Sequence, residues 1–450
     1  MTLIESKACN EPSGNVLVIY SLMDWPLKST VKDHLRCFKH HSAGRVFYLN
    51  LPLASPPRWI RSLKWDVVVY HTSFLSTRWI PELFDRNCKA AAPLRDLAPV
   101  SVALPQDEFI YADRLTEFIS EFRVENVLSV IPETEVATVF PGVDRSRTSF
   151  GQVLTGYLSE ETLSRVGQIL DESTVRQIDI GYRAWEGAPW LGRHGMLKRE
   201  ISEAVTAAAP RLGLVADCST RGEDTFFGDD WFRFLARCRF VLGVEGGASI
   251  VDRDGQLKIA TEKYLESNPD ASFDEIEAAC FPGRDGEVEM FVLTPRNLEA
   301  CATRTAQILV RGNYNGVLRP GVHYIELEPD FSNLDEVLAA VESDEIRERI
   351  VDRAYDDIVA SGLYTYLALV DEVERSVLGH RVYSVRDPRA ELFLRLNRMR
   401  EVFSWAEVIA RAIYSAWATR LSLAGRSLLR HGVIPCRSVL RRARRSPSSL

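Results

Sequence analysis

The chain has no CxxC pair, no Walker phosphate loop and no GxGxxG after its first apolar run. The first absence removes zinc ribbons and thioredoxin-like redox motifs. The other two leave nothing to mark a P-loop or dinucleotide-binding enzyme. A pattern for Ser–His–Asp nucleophilic chemistry is missing as well. The eight cysteines are scattered, none near a second at metal spacing, and read as small buried hydrophobes in a reducing compartment. No stretch reaches the roughly 18 uninterrupted apolar residues of a membrane span. The opening MTLIESKACNEPSGN lacks the basic lead and apolar core of a signal peptide. These features are those of a cytoplasmic chain. Lysine is absent from residues 381–450, which hold 15 Arg against 4 acids for a net +11. The rest of the chain carries −18, within a total of −7. A basic end on an acidic body calls for an anionic partner: lipid, nucleic acid or the body itself.

What is present is ordinary globular material, 450 residues at 46% hydrophobic and 26% charged, enough for two or three domains. Unbroken Val/Ile/Leu/Tyr runs at 16–20, 45–51, 66–71, 100–104, 126–131 and 138–143 predict buried parallel strands. Helical segments at 30–41, 76–85 and 113–122 alternate with them. A second series begins near 176. Its strands fall at 177–182, 214–216, 240–244, 290–293, 307–310 and 323–327, and its helices near 194–208, 229–238, 295–303 and 333–341. The polar stretch 256–286 reads as an insertion. Strand–helix alternation in both halves predicts an α/β chain of two Rossmann-like parallel-sheet domains, 1–150 and 151–380, facing a cleft, with a helical basic tail at 381–450.

Chemistry-bearing residues gather at predicted strand ends. His71 follows the third run, and Gln106, Asp107 and Glu108 follow the fourth. A neutral His or a carboxylate there suits an acceptor hydroxyl, although a lone His at a strand end also suits a purely structural place. Only one of two adjacent acids faces a cleft from an extended segment. In IDIGYRAWEGAPWLGRHGMLKREI, Arg183, Arg193 and Lys198 surround a Gly/Pro-rich loop and a helix start, a set able to neutralise a diphosphate. Glu245 ends a buried run before Gly246-Gly247-Ala248-Ser249, where small residues admit a ligand and Glu245 and Ser249 offer hydrogen bonds to sugar hydroxyls. Asp252 and Asp254 form a DxD, either a metal pair or a turn. The two-domain layout favours the turn, so no metal is expected. Thr294 and Pro295 open a helix that carries Arg296 and Glu299 near the strand ends.

The tail places Leu392, Leu396, Met399, Phe403, Ala406, Ala410, Ile413 and Trp417 on one helical face, flanked by Arg395, Arg398, Arg411 and Arg420. Two readings stand: a helix packed on the body or in a coiled coil, and an in-plane membrane helix followed by the polybasic RRARR at 441–445.

Residues 294–377, running helix, strand, Gly-rich turn, strand and acid-rich helices, resemble the end of the nucleotide-binding domain of GT-B glycosyltransferases. A Glu at the start of such a helix holds the donor ribose in that family, and the resemblance gives this role to Glu299. An Arg and a Lys near the first strand of the same domain bind the donor diphosphate, as Arg183 and Lys198 would here, although their separation is longer than the usual pattern. HLRCFKHH near the start, QDEF at 106–109, GYR…WLGR…K, the EGGAS run and GVHYIEL…DFSN are similar to uncharacterised glycosyltransferase-like proteins of surface-polysaccharide gene sets, over most of residues 15–380. One departure stands out. The position eight residues before the ribose-binding Glu, often a second Glu, is Phe291. The resemblance implies a cytoplasmic-face glycosyltransferase using a nucleotide-sugar donor, a glycan or lipid-linked acceptor and no cofactor. A sugar epimerase on the same fold, or a glycan- or membrane-binding scaffold with a degenerate site, are the rivals. No nucleic-acid partner is expected.

Overall fold

The apolar runs become buried parallel strands in two separate sheets. The computed structural model describes residues 14–23, 27–51, 56–172, 175–378 and 387–430. The first sheet holds β1 (Asn15–Tyr20), β2 (Arg45–Asn50), β3 (Val67–Tyr70), β4 (Val100–Ala103), β5 (Asn126–Ser129) and β6 (Ser149–Gln152), in the order β2-β1-β3-β4-β5-β6. The second holds β7 (Ile178–Arg183), β8 (Ala216–Ser219), β9 (Cys238–Gly243), β10 (Ala306–Val310) and β11 (Ile325–Leu327), in the order β11-β10-β9-β7-β8. Every strand pairing in both sheets is parallel. Each sheet reverses direction at its first strand, β1 or β7, and ligands of open α/β sheets bind outside the strand ends at such points.

Three strand expectations are corrected. Residues 138–143 are apolar because they close the helix Glu133–Val139 and bury Phe140 and Val143, not because they pair. The sixth strand is β6 instead, a polar SFGQ edge. Residues 290–293 form no strand. Val292 exchanges two main-chain hydrogen bonds with Gly246, at 2.8 and 3.1 Å, making a short ribbon. Gly247 sits there at φ +106, where a Cβ would lie 1.8 Å from the Met290 carbonyl oxygen, so only glycine fits. The third is a shift: the strand expected at 214–216 is β8, which begins at Ala216. The stretch after Gly255 does form its own small unit, the helices Gln256–Ser267 and Phe273–Cys280 around Ile250, Ile276 and Phe281. Of the described cysteines, Cys37, Cys238 and Cys301 are buried and all six are free.

The chain returns to its first domain. The helix Tyr366–Leu378 packs on the helix Ser29–His41, with Glu374 accepting from the Ser42 hydroxyl and the Ala43 N–H. The helix Ala390–Arg430 then covers β2, the edge strand. Asn397 substitutes for a neighbouring strand there: its Oδ1 accepts the Tyr48 N–H and its Nδ2 donates to the Tyr48 carbonyl, both at 2.9 Å. Phe393 stacks on Trp59 and Trp405 on Tyr20. Capping an edge in this way removes a site of unwanted strand pairing. Asn397→Ala leaves two buried main-chain groups without partners. It should lower stability by about 1–3 kcal/mol, read from denaturant unfolding. An unchanged midpoint would mean that the helix does not dock.

Candidate active site

A cleft of about 400 Å³ lies between the domains. The first domain contributes His34, Gln106, Asp107, Glu108 and Val130, and the second Trp190, Lys198, Gly246, Thr294 and Pro295. Trp79 and Phe109 of the first domain meet Trp190 of the second edge-on or tilted, at 5.9 and 6.3 Å, and join the two walls.

Of the two adjacent acids, Asp107 is the open one. Its backbone is left-handed, φ 55, and its carboxylate forms no hydrogen bond among the described residues. Arg78 imposes that turn. This arginine is wholly buried, and its donors reach the carbonyls of Leu75, Gln106, Asp107 and Ile110. Enclosure by the cleft walls raises the Asp107 pKa, with Arg78 and then Lys198 opposing. Glu108 is pinned: its Oε1 accepts from the Ser129 hydroxyl at 2.7 Å and the Val130 N–H at 3.2 Å, while Oε2 is buried without a partner. Burial raises its pKa too.

His71 does not face the cleft, a correction to the sequence reading. It ends β3 as expected but is 0% exposed, because its ring caps the helix Thr72–Leu75. Its Nδ1 lies 3.1 Å from the Ser73 main-chain nitrogen, and its Nε2 lies 2.8 Å from His34 Nδ1. The Ser73 hydroxyl also lies 2.9 Å from Nδ1, so two neutral arrangements fit: Nδ1 accepting from Ser73 with Nε2 donating to His34, or Nδ1 donating to the Ser73 oxygen with Nε2 accepting from His34. In the first, His34 holds its own proton on Nε2; in the second, on Nδ1. Burial lowers the His34 pKa to about 4 and holds that of His71 well below the ordinary imidazole range, so both are neutral. His34 was visible in HLRCFKHH, but nothing in the sequence joined it to His71.

On the opposite wall, the helix Arg193–Ala208 carries Lys198, half-buried between the cleft and a smaller cavity of about 60 Å³. Tyr182, Trp231, Gly243, Arg296, Asn297 and Gln307 line that cavity. Lys198 makes no hydrogen bond or ion pair among the described residues. Burial lowers its pKa, the nearby Arg296 lowers it further, and Asp107 opposes. Arg296 is exposed and forms no salt bridge among the described residues, although its charge acts on Glu299; its guanidinium lies 5.8 Å from the Trp231 ring. The helix Pro295–Ala302 starts between the two cavities, its first turn held by Asn297 Oδ1, which accepts the Thr294 N–H and hydroxyl. Its positive end therefore meets Lys198 and Arg296 at one place, neither of them in a salt bridge among the described residues. Glu299, expected in the cleft, lines neither cavity: it is buried one turn on, with Oε2 accepting from Trp231 Nε1 at 2.8 Å, and burial raises its pKa.

The other expected donor residues lie elsewhere. Arg183 lines the smaller cavity, but its donors go to the carbonyls of Tyr182, Asp217 and Asp224 and to the Asp217 carboxylate. Its guanidinium also sits over Phe234. Arg193 is at the surface, paired with Asp274 and Asp285. Glu245 and Ser249 line a second, wider opening of about 930 Å³ beyond the Gly246–Val292 ribbon. Glu245 accepts the Tyr314 N–H, and Ser249 donates to Asp285. Phe291, in place of a second Glu, stacks on His194 at 3.8 Å. Asp252 accepts from the N–H groups of Gly255, Leu257 and Lys258, so this acid of the DxD serves a helix start.

No protein-family model and no curated protein matches the chain. Solved structures do. HepE (Alr3699) of Anabaena in complex with UDP-glucose is 10% identical, aligned over 81% of this chain and 99% of its own, with a TM-score of 0.46. An alpha-glucosyltransferase in complex with UDP-glucose and DNA containing an abasic site is 9% identical over 78% and 96%, TM-score 0.44. Sucrose-phosphate synthase of Thermosynechococcus elongatus is 10% identical over 81% and 98%, TM-score 0.41. Likeness at this level leaves the case for function to the residues of the cleft.

Proposed function

We propose that the chain is a glycosyltransferase that moves a sugar from a nucleotide diphosphate sugar to a hydroxyl of a glycan or lipid-linked acceptor. The observation that carries the reading is a pair of cations at a helix start, Lys198 on the cleft wall and Arg296 in the adjoining cavity, that form no salt bridge among the described residues, across the cleft from Asp107, whose carboxylate forms no hydrogen bond among them. Cations fixed where a diphosphate leaves stabilise the charge that develops as the bond from the sugar's anomeric carbon to the phosphate oxygen breaks. The acceptor oxygen forms the new bond to that carbon, and its proton passes to Asp107. The ribose role of Glu299 rests on the resemblance and on its bond to Trp231, which lines the smaller cavity. Trp185, 59% exposed at the cleft mouth, offers an indole face to a sugar. An acid placed on the acceptor wall favours transfer over epimerisation of the donor alone.

The test is incubation with a panel of nucleotide sugars, following release of the nucleotide diphosphate. Release with at least one donor, and none of the donor's epimer, is expected. Accumulation of the epimer would replace transfer by epimerisation, and no binding to any donor would leave a scaffold. Within this reading, Glu299→Ala should weaken donor binding by about 1–3 kcal/mol in calorimetry, the scale of a lost charge-assisted hydrogen bond. A folded variant that binds as tightly as the wild type removes Glu299 from the site.

A further inference from the structure

The helix Ala390–Arg430 has two apolar faces and uses only one on the protein. Ala390, Leu394 and Asn397 are buried against the first domain, and Val408 is buried on the same side of the helix. Helical periodicity puts Leu392, Leu396, Met399, Phe403 and Ile413 on the opposite side. These five are 59%, 42%, 59%, 69% and 63% exposed. Isolated exposed apolar residues mean little, but a continuous row along one helix marks an interaction surface.

The charges around the row choose the partner. Glu391 is tied to Arg45 and Glu407 to Arg411, while Arg395 and Arg398, both exposed, form no salt bridge among the described residues. The sequence that continues from this row, residues 415–450, contains eight Arg, no Lys and no acid. A second copy seated on the row would bring like charges together. Nucleic acid would take the arginines and leave the apolar row in water. An anionic bilayer surface satisfies both, with the apolar side chains at the acyl boundary and the arginine heads among the phosphates. We infer that this face docks the protein on an anionic membrane, with the helix in the plane of the interface. Among the described residues no helix is long and apolar enough to cross one. The inference is independent of the proposed reaction.

The test uses the full chain and the variant Leu396→Ser/Met399→Ser/Phe403→Ser, which changes solvent-facing side chains only. A thermal melt matching the wild type shows that the docked face is intact. Wild type should sediment with vesicles containing phosphatidylglycerol, bind phosphatidylcholine vesicles far less, and lose binding as salt rises. The variant should bind about tenfold or more weakly. Equal sedimentation of variant and wild type, or none by wild type, overturns the inference. So does a wild-type dimer that the variant breaks without any vesicle binding. Should the variant melt early, Arg395→Gln/Arg398→Gln takes its place, with weaker binding expected and unchanged binding counting against the proposal.

Discussion

Asp107→Asn should lower kcat about 10²–10⁴-fold while moving KM little, the loss expected when a positioned base is removed. The amide keeps the shape of the side chain and tolerates a left-handed backbone as well as aspartate does, so the Arg78-held turn should survive. What disappears is basicity alone. The pH profile supplies an independent reading. The base works ionised, and burial has raised its pKa, so activity should fall with decreasing pH already above the ordinary carboxylate range. The acidic limb should vanish in the residual activity of the variant. A kcat within about threefold of wild type would return the role of base to another group.

Lys198→Met should cost about 10²–10³ in kcat/KM, the range for removing one preorganised charge at a developing anion. Methionine fills the same half-buried channel without charge. The sign of the pH effect is opposite here. Lys198 works protonated and its pKa is lowered by burial, so the basic limb should begin below the ordinary lysine range and be absent from the variant. Full activity with Lys198→Met would leave Arg296 and the helix start as the whole diphosphate site.

The sheets were legible because parallel strands buried on both faces read as continuous apolar runs. β6 was not, since SFGQ at an edge carries no such signal, and 290–293 misled because a ribbon residue is as buried as a strand residue. The helix start at Thr294 and the cations Lys198 and Arg296 were visible as residue types near strand ends; that Glu299 turns to Trp231 instead of the cleft was not. Nor was the division of labour between Asp107 and Glu108: it depends on Arg78, an arginine whose donors reach three main-chain carbonyls about thirty residues further on, besides that of Leu75. Arg183 shows the converse. Its place beside the first strand of the domain was right, but the unforeseen acid at 217, on β8, engages it. The tail's periodic row was read correctly as one face. That the helix also has a second face, fixed to Tyr48 by one asparagine, depends on a strand more than three hundred residues earlier.

The paired imidazoles set a rule for whatever enters the cleft. The tautomer of His71, set by whether Nδ1 accepts from Ser73 or donates to its hydroxyl oxygen, fixes the proton of His34 through one hydrogen bond. With Nδ1 accepting, His34 carries its free N–H on Nε2; with Nδ1 donating, Nε2 of His34 is a lone pair. The first arrangement favours a ligand oxygen with a lone pair, and the second a hydroxyl or ammonium donor. Selectivity between a hydroxylated and an amino-bearing sugar at that point would therefore originate in Ser73, which does not line the cleft.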